Sequence, residues 1–307
     1  MISLVMATYN GEGFIVNQLD SIRNQTVSPD EVLIYDDCSK DNTVSIIKEY
    51  IKKYKLNNWS IFENEYNKGY SLNFSDAIKS SKGDIIFLAD QDDIWNIDKI
   101  EKMRNIMLNN TKIELLASNV LPFYTGESPQ KVNYESFDKK LELIHVNDIK
   151  KWIKPARPGC SMCVRRSLLI DYDKIWFPKY AHDSLLWGLA VLRNTAYIYN
   201  KSTIKFRRHD SNASSRSGHS KEYRIESLNN EINIMKQMYL YQKEINRIDN
   251  ASFIYEQIEV YKKRKSLIEK NSIIDALMML SSLKYYARNR FFLTDIFYVF
   301  SKYVRSN

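Results

Sequence analysis

The chain has 307 residues, 44% of them hydrophobic and 27% charged, with only 8 Gly and 6 Pro. That composition excludes a disordered, collagen-like or low-complexity chain and leaves a folded, helix-rich protein, either two domains or one α/β unit with an appendage. The formal charge of +8 is uneven: residues 216–307 hold 16 Lys and Arg against 10 Asp and Glu, a net +6, and the first 215 residues only +2. A basic tail suits an anionic partner, while the body carries no such bias. Three Cys cannot build a disulfide framework. Cys160-x-x-Cys163 lacks a second pair or a nearby His to complete a zinc set, so core-lining thiols in a reducing compartment are expected. No positively charged leader precedes the apolar run from Ile2 to Met6, and a cleaved secretion signal is not expected.

Over the first 120 residues a short apolar run, a turn and a segment of helical spacing recur. Runs at Ile2–Met6, Val32–Tyr35, Ser60–Phe62, Ile85–Ala89 and Leu115–Ala117 read as buried strands. Between them Phe14, Ile15, Leu19 and Ile22 share a helical face, as do Val44, Ile47 and Ile51, then Leu72 and Ile78, then Ile97, Ile100, Met103 and Met107. This alternation predicts a mostly parallel sheet covered on both faces, with ligands at the carboxyl ends of its strands. From Pro122 to Asp148, including a Thr-Gly-Glu-Ser-Pro stretch, the periodicity lapses and an irregular region is expected. Order returns at Gly159–Ile170, a helix is predicted over His182–Arg193, and short strands over Ala196–Tyr199 and Thr203–Phe206. Arg207–His219 reads as a linker, and from Glu222 onward the chain reads as almost wholly helical. The division expected is 1–215 for an α/β domain and 216–307 for a helical, basic one.

Polar clusters stand just after the predicted strands: Thr8-Tyr9-Asn10-Gly11, then Asp36-Asp37-Cys38-Ser39, then Asp90-Gln91-Asp92-Asp93. So many carboxylates at one sheet edge cannot all be ionised without a cation or strong donors. Oxygen ligands favour Mg²⁺ or Mn²⁺, ions that also bind phosphates. In an extended stretch Asp90 and Asp92 project to the same side. The plainer alternative makes Asp90 and Asp93 turn and helix-cap residues. No G-x-G-x-x-G, no G-x-x-x-x-G-K-[ST] and no G-x-S-x-G occurs, which weakens dehydrogenase, P-loop and α/β-hydrolase readings.

Val5-Met6-Ala7-Thr8-Tyr9-Asn10-Gly11, Tyr35-Asp36-Asp37-Cys38-Ser39-Lys40-Asp41-Asn42-Thr43, Asn67-Lys68-Gly69 and Ala89-Asp90-Gln91-Asp92-Asp93-Ile94-Trp95 resemble, in order, the signatures of family 2 glycosyltransferases. Gly159-Cys160-Ser161-Met162, His182-Asp183 and Phe206-Arg207-Arg208-His209-Asp210-Ser211-Asn212 are similar to the bacterial polysaccharide branch described as rhamnosyltransferases. The resemblance covers about residues 2 to 215. It implies a GT-A nucleotide-diphospho-sugar transferase fold, a nucleotide-sugar donor (dTDP-L-rhamnose or a UDP-hexose), Mn²⁺ or Mg²⁺, and inversion at the anomeric carbon. Donor contacts are implied for Thr8, Tyr9, Asn10, Asp37, Asp90 and Gln91, with Asp37 on the base or ribose. Asp92, supported by Asp90, would ligate the metal, with His209 either a further ligand or a loop histidine. Asp183 matches the family's general base; helix capping is its alternative. His182 falls on the acceptor side. Trp95 would wall the sugar end of the site, or anchor the following helix in the core. Cys38 departs from the Gly found in many relatives.

The acceptor implied is a lipid-linked or polysaccharide precursor of the bacterial cell surface, capsule or O-antigen. The expected place is the cytoplasm, peripheral on the inner face of the membrane. The aromatic, basic segment after Ala276 would lie at the membrane interface, pack on the catalytic domain or form a homodimer. Nucleic acid is excluded as a partner, because a carboxylate-rich sheet edge repels phosphates. Two rival readings remain, a nucleotidyltransferase that makes nucleotide sugars and a catalytically silent carbohydrate-binding GT-A protein.

Overall fold

The structure, a computed structural model, describes residues 1–126, 131–134, 136–138, 140–177, 180–210, 220–286 and 290–304. Two compact units form: residues 1–147 with 155–215, and residues 148–154 with 216–307.

The first unit begins with β1 (Ile2–Thr8), α1 (Ile15–Arg23), β2 (Glu31–Asp36), α2 (Thr43–Tyr54), β3 (Trp59–Glu63), α3 (Tyr70–Ser80) and β4 (Ile85–Asp90). It continues with β5 (Ile94–Trp95), α4 (Lys99–Asn109), β6 (Leu115–Tyr124), β7 (Leu143–His145), β8 (Met162–Arg165), α5 (Arg166–Ile175), α6 (His182–Leu192) and β9 (Ala196–Arg208). The strands make one sheet in the order β3-β2-β1-β4-β8-β6-β9-β5, with β7 paired to β9. Strands β1 to β4 run parallel, and β8 runs antiparallel between β4 and β6. Continuous apolar strands such as Ile-Ser-Leu-Val-Met are what two covered faces require, and Leu4, Met6, Ile34 and Phe87 are fully buried against Ile15, Leu19 and Ile22 of α1.

Strand order reverses at β1, which has β2 on one side and β4 on the other, so a crevice opens at their carboxyl ends. The register sets Thr8 beside Asp36 and Ala7 beside Asp90. The three polar loops therefore leave the sheet at one level.

Several local expectations change. β6 extends to Tyr124, and β7 lies inside the region expected to be irregular, because both pair with β9. The two short strands expected after Ala196 are one strand through Arg208, with register shifts opposite Ser118 to Leu121 absorbing the polar Asn200-Lys201-Ser202. Residues 127–130 of the expected irregular region, and 211–219 of the expected linker with the Ser211-Asn212 end of its motif, lie outside the described residues.

The second unit comprises α7 (Lys221–Glu244), α8 (Ile248–Lys270), α9 (Ile273–Met278), a 3₁₀ segment (Met279–Tyr285) and α10 (Arg290–Val304). A 3₁₀ turn at Ile149–Ile153 belongs to it as well, although the sequence placed those residues in the first domain. The reason is side-chain pairing: buried Trp152 donates its indole N–H to Gln257 at 2.7 Å, and Lys154 pairs with buried Glu231 at 2.7 Å. Among the described residues no helix is long and apolar enough to cross a membrane.

Candidate active site

The loops after β1 and β2 are tied together by their own side chains. Thr8 donates to Asp36 at 2.8 Å, and Asp36 also accepts the Ser39 N–H and hydroxyl. Asn10, at φ 48°, accepts the Lys40 N–H at 2.8 Å, and its own N–H donates to Ser39 at 2.9 Å. Cys38 sits at φ 64°, the left-handed conformation that glycine tolerates best, which explains why Gly suits that position. Asp37 is buried. Its carboxylate accepts the backbone N–H groups of Lys68 (2.7 Å) and Gly69 (2.8 Å) and the Asn64 amide (3.0 Å). The Asn67-Lys68-Gly69 turn is thus held by Asp37. Gln91 bridges the β4 and β1 loops, accepting the Tyr9 N–H and donating to the Tyr9 carbonyl, each at 2.9 Å. Tyr9 itself stays exposed at the crevice.

The carboxylates after β4 divide into two groups. Asp92 lies 2.8 Å from His209 Nε2 of the segment after β9, and the His209 ring stacks on Phe14 at 4.5 Å. Asp90 and Asp93 turn toward the Cys160 thiol, the three ligand atoms lying within 4.8 Å of one another. Burial, then repulsion from Asp92, pushes Asp90 up to about 7 and Asp93 well above the usual carboxylate range. Burial also drives the Cys160 thiol well up. A buried, protonated thiol is a poor ligand for Mg²⁺ or Mn²⁺, so Asp93 and Cys160 form a proton-holding floor. Asp92 with its His209 partner, and Asp90, which feels the Asp92 charge, are the oxygen and imidazole groups that could hold a cation. That set fits a hard, partly hydrated divalent ion, which would also relieve the repulsion that burdens Asp90.

Asp183 stands in the first turn of α6. One oxygen accepts the Ser184 N–H at 2.7 Å; the other is turned to Gly159, where an added β-carbon would lie 3.2 Å away. Cys160, the next residue, reaches the Asp90–Asp93 pair, and the Asp183 charge adds to the forces raising Asp90. Asp183 and the β4 carboxylates therefore share one site.

Burial bears on two of the sequence readings. Trp95 is only 3% exposed, packs on Phe87 and lies under the Lys99 ammonium at 3.7 Å, which favours the second of its two readings, an anchor for α4 in the core. His182 is buried with its ring stacked on Phe74 at 3.9 Å, and burial pulls its pKa down to about 4. Burial and the Phe74 stack favour its neutral form and a packing role.

Residues 3–173 match the family model described as Glycosyl transferase family 2. The chain belongs to that family. The transferase is 31% identical over 271 residues to the dTDP-rhamnosyl transferase RfbG of Shigella flexneri, covering 82% of this chain and 88% of that one. It is 29% identical over 205 residues to the Escherichia coli UDP-Glc:alpha-D-GlcNAc-diphosphoundecaprenol beta-1,3-glucosyltransferase WfgD, covering 63% and 70%. Among solved structures, S. aureus TarS 1–349 in complex with UDP-GlcNAc superposes with a TM-score of 0.62 at 21% identity, covering 100% of this chain and 92% of that one. The fold is GT-A.

Sequence reasoning missed Lys99. It is fully buried, donates to the Cys160 carbonyl at 2.7 Å, and burial lowers its pKa to about 8 while Asp93 and Asp90 hold it up. The signal was available: Lys99 falls at i−4 and i−8 from Met103 and Met107 on the apolar stripe of α4. Arg207, at the start of the expected linker and within the Phe206–Asn212 motif, donates its N–H to Asp93 at 2.9 Å and its guanidinium to the Asp92 carbonyl at 2.7 Å. Those bonds span more than 110 residues and leave no local pattern.

Proposed function

We propose that the protein is an inverting glycosyltransferase that moves rhamnose or a hexose from a nucleoside diphosphate sugar to a hydroxyl of a lipid-linked cell-surface polysaccharide precursor. The carrying observation is the placement of Asp183 against Gly159, beside the Asp90–Asp93 loop at the point where strand order reverses. The acceptor hydroxyl oxygen attacks the anomeric carbon, the bond to the diphosphate oxygen breaks, and the hydroxyl proton passes to an Asp183 oxygen. One displacement inverts the centre. Tyr9, Asn10 and Asp37 border the nucleoside side. Asp90, Asp92 and His209 would hold Mn²⁺ or Mg²⁺, which supplies charge neutralisation for the departing diphosphate. RfbG supports a dTDP-rhamnose donor, WfgD supports UDP-glucose and a diphosphoundecaprenol-linked acceptor, and a structural neighbour, the PcManGT mannosyltransferase, carries GDP-Man and Mn²⁺. Such an acceptor places the reaction on the cytoplasmic face of the membrane. The rival nucleotidyltransferase reading lacks a glycine-rich basic loop after β1.

The test is Asp183→Asn. Turnover should fall by roughly 10²-fold or more, the usual worth of a general base, with donor affinity within about 1 kcal/mol of the parent. Product analysis should show an inverted anomeric centre. Near-normal transfer by the folded variant would reduce Asp183 to a helix cap.

A further inference from the structure

α10 is apolar on two opposite sides. Asp295, Tyr298 and Val299 are buried, while Leu293 and Phe297 lie roughly half a turn away round the helix and are exposed. In α9 and the 3₁₀ segment after it, Ile274, Leu277, Met278 and Leu280 are exposed too. These six apolar side chains are between 50% and 69% exposed. A helix with two apolar sides needs two apolar surroundings, and the helical unit supplies one.

The charge says what the second is. From residue 273 to 307 the sequence holds Lys284, Arg288, Arg290, Lys302 and Arg305 against two acids, Asp275 and Asp295. Asp295 is withdrawn from the surface: it is 0% exposed and paired with Arg264 at 2.6 Å and Arg224 at 3.2 Å. Lys284 is exposed, so the segment offers solvent apolar side chains and at least one cation, and its sequence carries a net positive charge. A second copy of this surface would set cation against cation, whereas anionic headgroups over an acyl phase complement both features.

We propose that the region from α9 to α10 docks on an anionic lipid bilayer, lying in its interface. No described helix is both long and apolar enough to span, so the attachment proposed is peripheral and reversible. The inference stands apart from the transfer reaction, since vesicle binding needs neither donor nor Asp183.

The full-length protein is mixed with vesicles of phosphatidylcholine alone, or of equal parts phosphatidylcholine and phosphatidylglycerol, and sedimented; its mass without vesicles is measured by light scattering. Binding to the phosphatidylglycerol vesicles, weaker on neutral ones and weakened by salt, is expected. Lys284→Gln should lower it about fivefold, the worth of one surface cation. The doubles Leu277→Ser/Met278→Ser and Leu293→Ser/Phe297→Ser should lower it at least tenfold with an unchanged melting temperature. Failure to bind either vesicle overturns the proposal, as does binding that the doubles leave intact. A dimer that the doubles split, or a fall in melting temperature showing that this face is covered within the protein, overturns it as well.

Discussion

Gly159 faces the Asp183 side chain with no room for a β-carbon: one added there would lie 2.9 Å from Asp183 Cβ. The contact fixes where the carboxylate stands relative to the Asp90–Asp93 loop. Gly159→Ala should displace Asp183 and cut turnover by about 10-fold to 10²-fold, since small misplacements of a reacting group are that costly. Donor affinity should hold, because the diphosphate side is untouched. Steady-state kinetics with a donor-binding titration would check it; an unchanged kcat would separate Asp183 from the chemistry.

Asp92 and His209 come from loops 117 positions apart and meet at 2.8 Å. If they share a divalent ion with Asp90, a chelator should abolish transfer and Mn²⁺ should restore it. Asp92→Asn and His209→Ala should each weaken Mn²⁺ affinity tenfold or more. Calorimetric titration of Mn²⁺ in the presence of donor is the measurement, and donor affinity indifferent to chelator would count against the assignment.

His182 is held neutral in the fold down to about pH 4 by burial, while in the unfolded chain it takes a proton near 6.5. Its folded pKa is depressed, so the unfolded state binds more protons in that window. Stability is fully present above 6.5 and is lost as pH falls toward 4, by about 3 kcal/mol at most. His182→Phe keeps a ring against Phe74 and should flatten that slope. Urea midpoints at pH 7.5 and 4.5 would show it; an equally steep fall in the variant would assign the acid sensitivity to other groups.

Asp295 neutralises the fully buried Arg264, whose guanidinium lies between the Tyr261 and Tyr286 rings at 4.3 Å from each. Asp295→Ala would strand that cation, at a cost of roughly 3–5 kcal/mol, and should speed hydrogen exchange across α8 and α10. The double change Arg264→Met/Asp295→Leu removes both charges and should recover most of the protection. Equal loss in the single and double variants would show that packing, not charge, is at stake.

Much of the fold was legible along the chain, because its determinants are local. Short runs such as Ile2–Met6 and Ile85–Ala89 give strands, repeats such as Ile15, Leu19 and Ile22 give helices, and polar clusters after the runs mark the carboxyl ends of a parallel sheet. Asp37, Asp90, Asp92, Asp183 and His209 could be named from their motifs alone. What the tertiary structure decided are the relations among residues far apart in sequence. Only the fold shows that Trp95 and His182 turn inward, because burial depends on what packs opposite. Only β9, pairing with β6 and β7, turns expected loop into strand. The Asp90–Asp93 pair is made reluctant to ionise first by loss of water, which no linear pattern records, and then by the Asp92 charge. In the same way Asp295 counts as a surface acid in the sequence and is neutralised in the fold, because the side chains that meet it belong to other helices.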